Sequence, residues 1–462
     1  MEHATRERRL KERLNVGTTT TLVGGGLRLA REAKVWQSTE PERAVLVKLV
    51  VTAGHEGRAV ADEEAEASLD ELAALADTAG AVVVDRVVQR RGEIHPATYI
   101  GKGKVRELAQ ICEMTGASLI IFDHELSPAQ VRNVENETRA RVIDRTELIL
   151  DIFARRARTK QAKLQVELAQ LRYELPRLRH LWTHLERQRG GIGLRGPGEQ
   201  QLEADRRRAQ QRIRSLEEEL ERISQRKEQQ IRGRVEMTTA ALVGYTNVGK
   251  SALMNALTGA EVFTENRLFA TLDATTRILR LPDGHEVLLT DTVGFIRNLP
   301  HHLVASFHAT LEEVRAADLL LHVVDVTHPD AVHQMKAVNA VLRELNCHEK
   351  PQLLVLNKCD LLPEPPTPEE IRRPFGEGIL TSALTGQGLS DLRERMVAMV
   401  RQWQVPVEVE IPLTDGRTLA EIGRHGTILH QQWAGDRLRV HALLDRRFAS
   451  RVAPLQAAKK SR

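Results

Sequence analysis

The spacing G-x-x-x-x-G-K-[ST] recurs in this chain as Gly244-Tyr245-Thr246-Asn247-Val248-Gly249-Lys250-Ser251. An apolar run of strand length, Thr239-Ala240-Ala241-Leu242-Val243, precedes it. Good helix formers, Ala252-Leu253-Met254-Asn255-Ala256-Leu257, follow. That strand–loop–helix context restricts the region to an α/β architecture, a mostly parallel sheet flanked by helices. Gly244 and Gly249 let the backbone curl with its N–H groups inward. The helix N-terminus adds positive character and Lys250 a full charge, so the loop suits a chain of phosphates. The Ser251 hydroxyl is placed for a Mg²⁺ that bridges the outer phosphates.

Further patterns follow in order. Asp291-Thr292-Val293-Gly294 is D-x-x-G behind an apolar strand, with Asp291 placed to hold Mg²⁺ through water and Gly294 to offer its N–H to a terminal phosphate. Asn357-Lys358-Cys359-Asp360 is N-K-x-D. The Asp360 carboxylate can accept from both guanine N1–H and the 2-amino group, a donor pair that adenine lacks; Asn357 supports the other edge of the base, and the Lys358 stem can lie over the ring. Ser382-Ala383-Leu384 resembles the element whose backbone N–H meets the guanine carbonyl. Between loop and D-x-x-G lies Phe269-Ala270-Thr271-Leu272-Asp273. Thr271 there is placed to reach Mg²⁺ only in the triphosphate state, which makes the segment a switch. Any one pattern is a weak signal; together and in this order they indicate a Mg²⁺-dependent GTPase.

Two positions stand out. Ras-type switches carry a water-orienting Gln directly after D-x-x-G; here it is Phe295, so no catalytic side chain is assigned, and Phe295 packing beneath the switch is the plain alternative. Asn247 is either a K⁺ ligand or a residue suited to the turn. With Phe269-Ala270-Thr271-Leu272-Asp273-Ala274-Thr275-Thr276-Arg277, Tyr99-Ile100-Gly101-Lys102-Gly103-Lys104 and Gly191-Ile192-Gly193-Leu194-Arg195-Gly196-Pro197-Gly198-Glu199, these motifs resemble the HflX GTPases from about residue 45 to 400. Ala274 departs from the Pro usual in that family. The resemblance implies a GTPase that associates with the large ribosomal subunit and separates ribosomal subunits, notably under stress; it also leaves open ATP use by the N-terminal domain.

The chain of 462 residues divides into an N-terminal extension (1–42), expected to be mobile, an α/β domain (43–150), a basic helical hairpin (151–235), the GTPase domain (236–403) and a small α+β domain with a basic tail (404–462). In the α/β domain, residues 44–51, 81–88, 97–100 and 118–122 read as strands, and 65–79, 102–114 and 128–137 as helices, around a largely parallel sheet. In the last domain, 407–411 and 437–443 read as strands and 418–424 as a helix. Net charge is only +4, yet residues 151–235 hold 21 Lys or Arg against 12 Asp or Glu. Leu164, Leu168, Leu171, Leu175, Leu178 and Leu185 form one helical stripe, with a kink expected at Pro176. Leu202, Ala209, Ile213, Leu216, Leu220 and Ile223 form another, with a Gly-rich tip at 190–198 between them.

Arg195, Arg206, Arg207 and Arg208 are the residues expected to meet RNA phosphates. Aromatic content of 3% disfavours base stacking and favours folded RNA read by shape. Cys112, Cys347 and Cys359 have no paired spacing and fit a reducing compartment. No apolar run spans a bilayer, so a cytoplasmic, monomeric protein is expected. Its partners would be GTP or GDP and large-subunit rRNA. A nucleotide-gated RNA-binding or remodelling protein is the competing reading, and a protein-directed switch a third.

Overall fold

The computed structural model describes residues 41–52, 58–177, 197–232, 237–259, 268–269, 271–297, 308–364, 366–445 and 448–449. The N-terminal extension, Arg195, most of the Gly-rich tip, Ala270 and the basic tail lie outside these residues.

The first domain is a four-stranded, all-parallel sheet in the order β2-β1-β3-β4, with β1 Arg43–Val51, β2 Val82–Arg91, β3 Leu119–Phe122 and β4 Arg141–Asp144. Side chains of β1 alternate between two covered faces. Ala44 and Leu46 pack with Leu69, Leu72 and Ala76 of helix α1 (Arg58–Ala79), while Val45 and Val47 join Val105, Leu108 and Cys112 of α2 (Lys102–Thr115). A sheet buried on both sides reads as a continuous apolar run, as β3, Leu-Ile-Ile-Phe, does. Helix α3 (Pro128–Thr138) opens on a capping box, Ser127 with Gln130.

Three features differ from the sequence expectation. Residues 97–100 form a turn closed by a His95–Tyr99 bridge, because Tyr99 takes a positive φ of 65° that a strand cannot carry. Strand β4 was not expected: its four residues begin with Arg and end with Asp, which hides the apolar pair between them. Helix α4 (Arg145–Arg156) runs straight through residue 150, continuing from the α/β domain towards the hairpin.

The hairpin consists of α5 (Lys160–Glu174) and α6 (Pro197–Arg232). Leu164, Leu168 and Leu171 pack against Ile213, Leu216, Leu220 and Ile223, as the two stripes require. Cross-pairs Arg172–Glu217 and Arg212–Glu167, each at 2.7 Å, line the seam. Helix α5 ends at Glu174, just before Pro176, and Leu175 closes it with a bond to Leu171 O; the rest of that stripe, Leu178 and Leu185, lies outside the described residues.

The GTPase domain is a six-stranded sheet in the order β10-β9-β8-β5-β7-β6, comprising β5 Thr238–Gly244, β6 Thr275–Arg280, β7 Glu286–Asp291, β8 Leu319–Asp325, β9 Gln352–Asn357 and β10 Gly378–Leu380. Only β6 is antiparallel. Every residue of β8 is buried. Helices α7 (Lys250–Thr258), α8 (His308–Ala316), α9 (Ala331–Glu344), α10 (Pro368–Phe375) and α11 (Leu389–Arg401) connect the strands. Its apolar core is continuous with that of α1 and α4, and Phe153 meets Phe269 edge-on at 4.6 Å between ring centres.

The C-terminal domain is a three-stranded antiparallel sheet, β11 Gln404–Pro412, β13 Arg437–Asp445 and β12 Gly426–Ala434 in that order, with helix α12 (Gly416–His425) on one face. Sequence reading missed β12, where a bulge between Ile428 and His430 breaks the alternation. A buried polar cluster joins this domain to the GTPase sheet. Thr238 Oγ1 donates to Asp445 Oδ2 at 3.0 Å, and His285 sits between Thr238 Oγ1 and Gln404 Nε2, 3.2 Å from each.

Burial pushes His285 down to about 4, against a smaller opposing pull from Asp283. The fold therefore holds His285 neutral, while the unfolded chain takes up a proton near pH 6.5. This contribution to stability is complete above that pH and is lost as pH falls towards 4, by about 3 kcal/mol at most. Urea melts of wild type and His285→Gln at pH 7.5 and pH 5 should show the wild-type advantage shrinking at the lower pH; a pH-independent gap contradicts it.

Candidate active site

Strand β5 delivers Gly244 to the carboxyl end of the sheet, and α7 begins at Lys250. The loop between them needs its second glycine. Gly249 takes φ 91°, and a Cβ there would lie 2.4 Å from Asn357 Nδ2. Lys250 is buried, and its ammonium donates to Gly244 O at 3.1 Å and Tyr245 O at 2.7 Å. Burial pushes it down to about 8, with Asp291 pulling the other way. A desolvated ammonium gains strongly from an anion placed against it. Gly294 also closes on the loop: a Cβ on it would be 2.8 Å from Thr246 Cα and 3.1 Å from Lys250 Nζ. Asn247 is exposed with φ 62°, a conformation Asn tolerates, which gives it a reason of turn geometry.

Three oxygen-bearing side chains converge beside this loop. Ser251 Oγ lies 2.8 Å from Thr271 Oγ1 and donates to Asp291 Oδ2 at 2.5 Å. Asp291 Oδ1 is buried with no hydrogen-bond partner among the described residues. Burial raises the Asp291 carboxyl, and Lys250, then the hydroxyls of Ser251 and Thr271, oppose the rise. An orphaned carboxylate oxygen among hydroxyls is the donor set of a hard cation, so the residues fit Mg²⁺. When bound, such an ion neutralises charge on phosphate oxygens. Ser251, Thr271 and Asp291, the last through water, are the residues that would hold it. Thr292 is used otherwise: its hydroxyl donates to Leu242 O at 2.6 Å and fixes the start of the D-x-x-G loop.

Phe295 is only 3% exposed and belongs to the core. Its N–H bonds Gly244 O at 3.1 Å and its carbonyl accepts from Thr246 N at 2.8 Å, zipping the segment onto the phosphate loop. The packing alternative for this residue therefore holds, and its side chain presents nothing to a water molecule.

At the base end, Asn357 is buried and uses both ends of its amide within the protein. Nδ2 donates to Val248 O at 2.8 Å and Oδ1 accepts from Ala383 N at 3.1 Å. Asn357 thus ties the phosphate loop to the Ser382-Ala383-Leu384 loop. Ser382 is buried and caps its own turn, accepting from Thr385 N, whereas Leu384 is exposed. Lys358, at φ 67°, is anchored by Asp325 Oδ2 at 2.6 Å. Sequence reading missed Asp325, although an Asp closing an apolar strand was a visible signal. Asp360 lies in a short 3-10 turn, Cys359–Leu361, half-buried and without a partner among the described residues.

The switch segment divides. Thr271 faces Ser251, but Phe269 and Leu272 are core residues, each 2% exposed. Asp273 is held by the start of the hairpin, where its carboxylate accepts from Arg158 N at 3.3 Å, Thr159 N at 3.2 Å and the Thr159 hydroxyl. Of the described residues of this segment, Thr271 is the one whose side chain hydrogen-bonds a phosphate-loop residue, Ser251.

Three family profiles match along the chain: GTP-binding GTPase N-terminal over 66–154, GTP-binding GTPase Middle Region over 156–234, and 50S ribosome-binding GTPase over 239–358. The GTPase HflX of Escherichia coli K12 is 46% identical over 379 residues, covering 81% of this chain and 87% of that protein. The chain belongs to the HflX GTPases. The HflX of Lacrimispora saccharolytica is 45% identical over 409 residues, 87% of this chain and 93% of the relative. A solved GTP-binding protein from Sulfolobus solfataricus, in complex with GDP, is 25% identical with a TM-score of 0.40 and covers 78% of this chain and 99% of its own. As an HflX GTPase, the protein binds and hydrolyses GTP. Among the described residues, no helix is long and apolar enough to cross a membrane.

The two ends of the site should respond differently to truncation. Asp360→Ala should lower GDP affinity at least about tenfold with little change in thermal midpoint, because that carboxylate bonds nothing among the described residues. Asn357→Ala should lower both, since it orphans Val248 O and Ala383 N and costs about 2–4 kcal/mol. Calorimetric titration and thermal melts distinguish these outcomes.

Proposed function

We propose that this HflX GTPase works on the large ribosomal subunit. In this reading the basic hairpin engages folded rRNA, and the nucleotide state governs its seating, so that ribosomes are split or remodelled, including under stress. The observation that carries the reading is the joint between Asp273 and Thr159. Asp273 stands two residues from Thr271, the hydroxyl placed for Mg²⁺, and Thr159 caps the first turn of α5 through Ala162 N at 3.1 Å. A change at the metal site is thereby carried to the base of the hairpin. The hairpin touches the GTPase domain again through Ser224, whose hydroxyl lies 2.8 and 3.0 Å from the two carboxylate oxygens of Glu312 on α8.

Charge supports an RNA partner. Arg207 and Arg208 are exposed on α6, and their nearest carboxylates, Glu203 and Asp205, stand at 3.6 and 3.7 Å, beyond good hydrogen-bonding range. Both are left able to pair with phosphates. Arg206 neighbours them and Arg195 lies outside the described residues. With Phe295 in the core, turnover by the protein alone is expected to be slow, and a ribosomal surface is expected to speed it.

GTPase rates with large subunits, small subunits, naked rRNA and no addition test this, together with sucrose gradients after adding the GTP-bound protein. Stimulation by large subunits and loss of the intact-ribosome peak are expected; stimulation by naked RNA alone would favour the remodelling reading. Changing Arg206, Arg207 and Arg208 together to Ala should weaken large-subunit binding and flatten its salt dependence by about 2–3 in log–log slope. An unchanged slope removes the hairpin from the interface.

A further inference from the structure

The phosphate loop carries a tyrosine at its second position, and its hydroxyl takes no part in holding phosphate. Tyr245 is 4% exposed. Its hydroxyl donates to Glu71 Oε1 on α1, a helix of the N-terminal domain, and accepts from the backbone N–H of Arg297 at 2.7 Å. Burial, then the Glu71 charge, keep the phenol protonated. The direction of both bonds is therefore fixed: proton to Glu71, lone pair to Arg297.

Glu71 does not stand alone. Its Oε2 accepts from Arg145 Nη2 at 2.7 Å, and Arg145 Nη1 donates to Asp123 Oδ1 at 2.8 Å. The Asp123 carboxylate is fully buried and is further bound by Lys48 and by Ser68 at 2.7 Å. The same Arg145 Nη2 reaches Arg297 O at 3.3 Å. Both backbone groups of Arg297 are thus held from outside its own segment, the N–H by Tyr245 and the carbonyl by Arg145. The Arg297 guanidinium pairs with Asp330 at the start of α9. Three residues earlier stands Gly294, whose backbone lies against Thr246 and Lys250 and whose N–H is the one expected from the sequence to meet a terminal phosphate.

We propose that Tyr245 is a positioning residue for GTP hydrolysis, through which Glu71 and Arg145 of the N-terminal domain set the placement of the Gly294–Arg297 segment over the phosphates. The N-terminal domain is on this account part of the GTPase site, independently of any ribosome. The contact differs in kind from those that hold GDP. The loop amides, Lys250 and Asp360 do not depend on it, whereas the segment that meets the terminal phosphate does. Its loss should therefore appear in kcat and leave nucleotide affinity nearly untouched.

The test uses the full chain with Mg-GTP and no ribosomes. Tyr245→Phe and Glu71→Ala should each lower kcat about 3- to 10-fold, with KM and GDP affinity within about twofold of wild type. The double variant Tyr245→Phe/Glu71→Ala should be no slower than the slower single variant, because both cut one thread. Thermal melts check that each variant is folded. An unchanged or increased kcat, a fall in kcat matched by lost GDP affinity, or additive effects in the double variant would overturn the proposal.

Discussion

A guanidinium cannot be taken out of water unless carboxylates meet it, and Arg145 is almost fully buried with Asp123 and Glu71 as its partners. Removing one partner of such a group costs about 3–5 kcal/mol. That requirement pulls three elements of the N-terminal domain, β3, α1 and α4, to one point. It also decides how this domain meets the GTPase domain, since Glu71 also bonds Tyr245 and Arg145 also bonds Arg297. Buried charge here specifies an arrangement more than it adds stability.

Helix α4 extends this arrangement along its length. Arg145 at its start meets the segment after D-x-x-G, Phe153 packs edge-on against Phe269, and Thr159, just past its end, holds Asp273. The segment after D-x-x-G and the segment that carries Thr271 therefore both rest on one rod. Its far end leads directly into the hairpin. The apolar core shared by the two domains makes the rod stiff, because close-packed interiors transmit strain rather than absorb it.

The nucleotide site was largely legible because its parts are local. A loop spacing, a carboxylate at a strand end and N-K-x-D each carry their chemistry within a few residues, and Lys250, Ser251, Thr271 and Asp291 converge accordingly. What escaped reading was long-range. Asn357 spends its amide on Val248 and Ala383, and Asp273 turns to Thr159 over 114 residues of sequence. Neither choice leaves a trace in neighbouring residues. The fold misses were of another kind: a four-residue strand with charged ends, a bulged strand and a tyrosine at positive φ all break the alternation that strand reading relies on. The stripes of α5 and α6 were readable because each repeats its apolar residues every three or four positions.

Gripping a pair of helices at both feet makes a lever of it. Thr159 fastens one foot and Ser224 the other, and the two helices stand about 9 Å apart, as packed helices do. If one foot slides about 1 Å along its axis while the other stays, the pair tilts by about 6°, and the start of α6, about 40 Å away at 1.5 Å per residue, sweeps about 4 Å. A displacement of about 1 Å at one foot would thus be geared up roughly fourfold at the far end of α6.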